Sequence, residues 1–478
     1  MSFYLLLLLF LTLASAQELS LDFGSPPLRT DYVGVSAVRH GFDFFEESTY
    51  RGLNATYREQ SFSRLSSSRL SYARSWYASD WVMPYGWGGG LDFHTPRFEA
   101  FASWVAEMKA RGISVVVNAG WWFTQHTCGA GLPGNCTPTN ATLSTYYEFV
   151  SETARELVVT RGLDNAATFL IFTEPLDYNS GLIPPGYTQK SFYAFVVQGL
   201  HEYMTAAGTR SLVLFQGPNG VSLSGLQFAV DNLAGVLDIF SCHDYSLAGY
   251  AGWLAKFTAA TAMTQKTGRP LWIDEGGLNG EDKRNQSDYG TYLALWQAAA
   301  VNAGASNTFV WLWQDQYYVW PLENSTNGDS FSNGLHRWGL QFWLPDSLTV
   351  RPAFYAHSIL TRFLRAPQGA THAASVPVAG TAPGGIVAAA ITGTPALGRA
   401  EFRAVLIINE GTSAANVTLN IKGSGGSTFS RFFFDPASVP TDNQPVGPSG
   451  TLLGPVDRLS DTLPPRAFAV WATQWEAV

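Results

Sequence analysis

The amino-acid sequence predicts a parallel (β/α)8 TIM barrel joined to a small C-terminal all-β sandwich, and three observations lead there. From about residue 31 to residue 365, short β-branched apolar runs alternate with longer amphipathic stretches of helical spacing; the runs number eight; and after residue 365 the sequence becomes rich in Ala, Gly, Pro and Ser with alternating apolar runs. Strand and helix patterns in strict alternation indicate a parallel sheet with crossover helices. Eight such units over about 335 residues fit an enlarged barrel. A doubly wound open sheet is the rival arrangement, but its glycine-rich dinucleotide fingerprint is absent.

The elements follow in chain order. An apolar run over residues 5–11 precedes Ala14-Ser15-Ala16, the small-residue pattern of a signal-peptidase site, so residues 1–16 read as a signal peptide and Gln17 as the mature start. That run is shorter than the roughly 20 residues a membrane span needs. Residues 17–30 precede the barrel, and their alternation over 18–23 matches a strand of the C-terminal sandwich. The barrel, residues 31–365, draws its strands from 32–37, 70–76, 113–122, 168–174, 211–217, 236–245, 270–275 and 307–314. Between them lie helical faces such as Phe98, Phe101, Val105 and Met108, or Tyr193, Val197, Leu200 and Tyr203, suited to packing on a barrel wall. Residues 366–478 form the sandwich, with strands at 385–393, 402–409, 415–422, 428–434 and 466–473. These strands show few exposed aromatics, so the sandwich is read as a structural partner of the barrel rather than a carbohydrate-binding module.

Composition narrows the function classes. The chain is 46% apolar and 14% charged, ample for a large core. A net charge of −8 without a basic cluster gives nucleic acid no electrostatic footprint. Asn-x-Ser/Thr sequons at Asn54, Asn135, Asn140, Asn285, Asn324 and Asn416 agree with a secretory route. The chain is expected to be secreted, extracellular, monomeric, and free of the membrane once the signal peptide is removed.

In barrels of this type the chemistry sits at the C-terminal ends of the strands, so the polar residues that finish each run carry the most information. The fourth run ends Thr173-Glu174-Pro175 and the seventh ends Asp274-Glu275-Gly276, each placing a carboxylate where an apolar run meets a loop. Glycoside hydrolysis needs such a pair: Glu174 to protonate the leaving oxygen and Glu275 to attack the anomeric carbon, about 5–5.5 Å apart if the configuration is retained. Residues two apart in a strand share a face. Arg74 and Trp76, His243 and Tyr245, and Trp311 and Trp313 are accordingly expected to face the barrel interior, with Ala73, Asp244 and Leu312 turned away.

With these residues in view, the sequence resembles clan A of the glycoside hydrolases, retaining β-glycosidases whose acid/base ends strand four and whose nucleophile ends strand seven. The layout is nearest to families 5, 30, 39 and 79. Members commonly show Asn-Glu-Pro on strand four, where this chain has Thr173-Glu174-Pro175; the resemblance makes Thr173 a substrate contact in place of the Asn that holds the sugar's 2-hydroxyl. His243-Asp244-Tyr245 is similar to the family's His-x-Tyr, which implies that Tyr245 bonds the nucleophile and His243 lines the sugar site. Arg74 matches the Arg that keeps the nucleophile ionised, and Trp313 the strand-eight Trp that floors the sugar ring.

Aromatic faces suit the apolar C–H surfaces of sugars, and among the 16 Trp, Trp313, Trp122 and Trp320 are the expected platforms. No metal-ligand spacing surrounds His243, and no cofactor is expected. The expected partner is an oligosaccharide or polysaccharide with β linkages. Two other readings share the same residues: a glycan-binding protein on a barrel that has lost activity, for which Thr173 is the hint, and a transglycosylase.

Cys128 and Cys136 share a Gly/Pro-rich loop and are expected to pair in an oxidising compartment, leaving Cys242 as an inert thiol within a strand. Mass mapping of a non-reducing digest should recover a Cys128–Cys136 cross-linked peptide and an unmodified Cys242; a bridge to Cys242 would overturn the strand register around His243.

Overall fold

The structure, a computed structural model, describes residues 17–39, 55–84, 89–120, 139–176, 183–278, 281–317, 335–342, 347, 349–366, 372–379, 385–394, 401–424, 428–452 and 456–473. The signal peptide, Cys128, Cys136, Trp122 and Trp320 lie outside the described residues. After strand β1 (Gln17–Asp22), eight parallel strands close into a barrel in chain order: β2 (Gly34–Val38), β3 (Tyr72–Trp76), β4 (Ser114–Asn118), β5 (Thr168–Leu170), β6 (Leu214–Gly220), β7 (Ile239–Asp244), β8 (Leu271–Gly276) and β9 (Asn307–Val310). Strand β9 pairs back onto β2 and completes the ring, and beyond it β10 (Gln316–Tyr317) and β11 (Leu335–His336) pair antiparallel.

A helix follows each barrel strand: α1 (Ala55–Ser68), α2 (Pro96–Ala110), α3 (Asn140–Arg155), α4 (Gln189–Ala206), α5 (Leu223–Leu233), α6 (Gly249–Gln265), α7 (Tyr289–Asn302) and α8 (Pro352–Phe363). Their starts are set locally. Thr95 accepts from the Phe98 amide with Pro96 opening α2, and Thr139/Thr142 and Thr188/Ser191 form reciprocal caps at α3 and α4. No described helix is long and apolar enough to cross a membrane.

Alternation along the strands sorts side chains into two cores. Inside the ring, Val38, Trp76, Val116, Leu170, Ile239, Trp272 and Phe309 form one cluster, with the Tyr72 and Trp272 rings 4.9 Å apart edge to face. Residues of opposite parity, such as Ala37, Ala73, Val115, Val117, Phe169 and Ile273, pack outward against the helices. The interior aromatics pack into a floor beneath the mouth.

Two irregularities in the ladder matter more than the regular pairing. Between Ile273 and Gly276, β8 holds one more residue than β9 opposite, and it also gains one on β7 between Cys242 and His243. Strand β6 carries an extra residue at Asn219, which sits at φ +55°. Extra residues of this kind re-aim side chains at barrel rims. Trp272 points inward and Ile273 outward, so alternation turns Asp274 in; the bulge then lets the next residue, Glu275, face the interior as well.

The expected strands overrun the observed ones where loops take over. The fourth run stops at Leu170, and Phe172 and Glu174 follow with positive φ. The fifth starts late because Arg210–Leu212 forms a 3-10 turn. The eighth ends at Val310.

The second unit is a two-sheet sandwich. One sheet has the order β13 (Val378–Ala379), β1, β16 (Ala415–Lys422), β19 (Arg458–Leu463), with β1 parallel to β16 from Gln17↔Val417 to Asp22↔Lys422. The N-terminal segment thus lies in this sheet. The other sheet has the order β12 (His372–Val376), β14 (Ile386–Thr394), β15 (Phe402–Asn409), β20 (Phe468–Ala472), β17 (Phe429–Phe434), β18 (Gly450–Leu452). Its inner face, including Val405, Ile407, Ala469 and Trp471, meets Leu19, Leu21 and Val417 of the first sheet. Its outer face, including Leu406, Ile408, Phe432 and Phe468, joins the barrel's helix-side core, where the Phe363 and Phe432 rings stack at 3.8 Å. Every residue of β15 is buried because both faces are covered.

Gly276 shows how tightly the site strand is held. A β-carbon there would lie 2.2 Å from the ring of Trp296, itself fully buried on α7. Gly276→Ala is expected to cost about 1–3 kcal/mol by overpacking, measured by denaturant unfolding; an unchanged midpoint would contradict this packing.

Candidate active site

Six of the expected residues converge at the mouth. Arg74, on β3 and 1% exposed, donates through Nη2 to Glu275 Oε1 and through Nη1 to the Asp274 carbonyl at 3.2 Å, with Asp274 Oδ2 3.6 Å away. Tyr245, just past β7, donates its hydroxyl to Glu275 Oε2 at 2.5 Å. Glu275 is therefore bonded on both oxygens. His243, fully buried on β7, places Nδ1 2.7 Å from Glu174 Oε1 and 3.4 Å from Glu275 Oε2. One oxygen of each glutamate and the His243 nitrogen all lie within 4.8 Å of one another. Thr173 accepts from Asn118 Nδ2 at 2.7 Å, and its amide donates to the Gly120 carbonyl at 3.0 Å.

Glu174 is aimed by its backbone. At φ +50° it occupies the left-handed region, unusual for a residue with a side chain. Its amide donates to the Asn219 carbonyl at 2.9 Å and lies 3.3 Å from Asn219 Oδ1. The bulged β6 thus clamps the loop that carries Glu174. The Glu174 side chain is 18% exposed and that of Glu275 6%, so the first faces water and the second is sealed behind it.

Sequence reasoning missed a third carboxylate. Asp274 is fully buried beneath the pair, accepts from Gln216 Nε2 at 2.5 Å and from Asn219 Nδ2, and turns Oδ1 toward His243 Nε2 at 3.7 Å. Its parity with Trp272 was the available signal. Asn219 offered none, because a bulge breaks the period that alternation relies on.

Trp313 requires a correction. Expected to floor the sugar site, it is fully buried on the outer side of the barrel wall, 5.9 Å from Phe354 and 6.1 Å from His357 of α8. Alternation ends with β9 at Val310, so Trp311 and Leu312 both join the interior cluster and Trp313 is turned out. Asp315, just beyond, makes a two-pronged pair with Arg351 at 2.8 and 3.0 Å and ties this segment to α8. Among the described residues, an indole at the site is that of Trp311, with the Arg74 guanidinium 5.8 Å from its ring. Asp244, by contrast, turns outward as expected and pairs with Lys256 of α6 at 2.7 Å. Cys242 is buried with a free thiol that burial pushes up to about 12, an inert state.

The charges are set by mutual compensation. Burial opposes the charge of His243, but Glu275, Glu174 and Asp274 outweigh it and hold the ring up to about 9. Burial also opposes the charge of Arg74, and Glu275 and Asp274 more than restore it. The Asp274 carboxyl is pushed up by burial, against the pull of His243 and Arg74. The charge on the His243 ring lies between the oxygens of Glu174 and Glu275.

An unfolded histidine titrates near 6.5 and His243 near 9. Its contribution to stability is fully present below about pH 6.5 and is lost as the pH rises through about 9. Calorimetry should accordingly show the gap in melting temperature between the wild type and His243→Gln closing across that window, and a gap independent of pH would refute the charged ring.

No protein-family model matches the chain, and no curated protein matches it in sequence. Solved structures do match its fold. An endoxylanase of glycoside hydrolase family 30 from Clostridium papyrosolvens is 13% identical, with 96% of this chain and all 100% of that one aligned at a TM-score of 0.66. The catalytic domain of a family 30 xylanase C from Talaromyces cellulolyticus is 14% identical over 96% and 100% of the two chains, at 0.65. An α-L-arabinofuranosidase from Thermotoga maritima is 11% identical over 96% and 99%, at 0.61. The barrel and the sandwich, in this order and over nearly the whole chain, are the fold of these glycoside hydrolase structures.

Proposed function

We propose that this chain is a secreted retaining β-glycoside hydrolase that cleaves β-linked glycans of the cell-wall type through a covalent glycosyl-enzyme. The observation that carries the reading is the approach of Glu174 and Glu275 to within 4.8 Å at the barrel mouth. Retaining enzymes hold their carboxyls about 5–5.5 Å apart, whereas inverting enzymes leave room for a water at about 6.5–9.5 Å.

Each neighbour has a part in that chemistry. Glu275, bonded by Arg74 and Tyr245, attacks the anomeric carbon as the carboxylate. Glu174 gives its proton to the glycosidic oxygen, and the His243 imidazolium stabilises the carboxylate left behind. The same carboxylate then takes a proton from the water that releases the sugar. Asn118 engages the Thr173 oxygen at 2.7 Å and leaves the hydroxyl proton of Thr173 for a sugar oxygen. Xylan is the first polymer to try, since two of the similar structures are xylanases. Secretion is supported by the signal-peptide pattern and by exposure of Asn140, Asn285 and Asn416, the sequon asparagines among the described residues.

The two carboxylates are separable by rescue chemistry. Glu275→Ala should abolish turnover of an aryl β-glycoside, and added azide should restore it with a glycosyl azide of inverted configuration. Glu174→Ala should lose about 10²–10⁴-fold on substrates with poor leaving groups, keep the first step on an activated aryl glycoside, and give an azide product of retained configuration. Wild-type activity in either variant would end the proposal.

A further inference from the structure

Among the described residues, Asp274 is a buried carboxylate at the mouth to which the reaction above gives no task. It sits directly before Glu275 on β8 and points inward because the bulge lets two successive residues do so. Its Oδ2 is bonded by two amides of β6, Gln216 and Asn219. Asn219 is the residue that grips Glu174: its side-chain nitrogen goes to Asp274, while its side-chain oxygen and its carbonyl both face the Glu174 amide, at 3.3 and 2.9 Å. A continuous path therefore runs from the nucleophile's own strand, through Asp274 and Asn219, to the backbone that aims the acid. On its other edge Asp274 faces His243 Nε2 at 3.7 Å, and that ring's Nδ1 bonds the Glu174 carboxylate. Among the described residues neither Asp274 Oδ1 nor His243 Nε2 has a hydrogen-bond partner, so the two face each other as charges 3.7 Å apart.

We propose that Asp274 is a positioning residue for the acid/base: from behind the catalytic pair it fixes the Asn219 amide, and through it the left-handed backbone of Glu174, while it holds the His243 ring against the Glu174 carboxylate. A buried carboxylate beside a second one is costly unless cations and donors surround it. Arg74, His243 and two amides do so here. The arrangement places acid and nucleophile on one braced unit of three strands, where an error of about 1 Å in the acid would slow proton transfer about 10²-fold.

The role as stated rests on the hydrolase reading, so the test joins kinetics to a readout independent of activity. In the full chain with ¹⁵N-labelled histidine, the His243 signal is assigned by its loss in His243→Gln and titrated. Glu174, Glu275 and Asp274 face this ring, and the Lys256 ammonium lies on the His243 carbonyl at 3.2 Å. Asp274→Asn keeps the shape and removes a negative charge that faces the ring, so the titration should fall by about one unit. In kinetics the same variant should lose about 10²-fold in kcat on an aryl glycoside with a poor leaving group, much less on an activated one, with KM little changed. Asn219→Gly keeps the left-handed backbone and cuts only the amide link. It should show the same leaving-group dependence with the His243 titration unmoved.

Equal losses on both substrates, or a His243 titration unchanged in Asp274→Asn, would overturn the role. If Asp274→Asn does not fold, Asn219→Gly decides: a leaving-group-dependent loss supports the path, and a uniform or absent loss removes it. A wild-type chain that turns over no glycoside would end the hydrolase reading, and the histidine titration alone would then judge Asp274.

Discussion

Arg74 is the group on which the rest of the site depends. A guanidinium keeps its charge under all ordinary conditions, and this one is 1% exposed at the end of a barrel strand. Buried charge has to be matched by opposite charge and by hydrogen bonds. Glu275 and Asp274 supply the first match, and their combined negative charge, with that of Glu174, makes His243 the second cation of the group. Two cations and three carboxyl groups thus share one space in which Glu174 faces water and the others are buried. The Glu275 carboxyl lies against the Arg74 guanidinium and the Glu174 carboxyl against the His243 ring.

The frame beneath this cluster is built to resist its internal forces. The aromatic floor of Tyr72, Trp272 and Phe309 leaves no room for the site to sink into the barrel. The helices outside are backed by the sandwich, whose six-stranded sheet is buried on both faces. Preorganised electrostatics of this kind is effective only when the groups cannot relax away from one another. The sandwich contributes by covering α7 and α8, the helices that follow the nucleophile strand and the last strand.

Much of the fold and part of the site were legible in the residues. Strand and helix alternation gave eight units because each element must bury one face, and burial writes itself into periodicity. Glu174 and Glu275 stood out because a charged residue that finishes an apolar run lies at the rim of a barrel, while Arg74, His243 and Tyr245 were singled out by the resemblance to clan A. The resemblance failed at Trp313, where the strand ends at Val310 rather than at residue 314, and the strand-end rule passed over Asp274, whose inward direction needed a bulge to coexist with that of Glu275. Asn219 was invisible, since its part depends on a left-handed backbone that no pattern of apolar residues encodes.

The sequence by itself determined the class of fold and which strand ends carry ionisable groups, because these follow from hydrophobic period and from composition, both local along the chain. Tertiary structure alone decided which of those groups meet. Closing the ring brings β3, β7 and β8 to one point, and two inserted residues, one in β6 and one in β8, rotate Asn219, Asp274 and Glu275 into the same space. Contacts across 200 residues, such as that of Arg74 with Asp274 and Glu275, are set by ring closure and by register, and register is a relation between strands that no single strand contains.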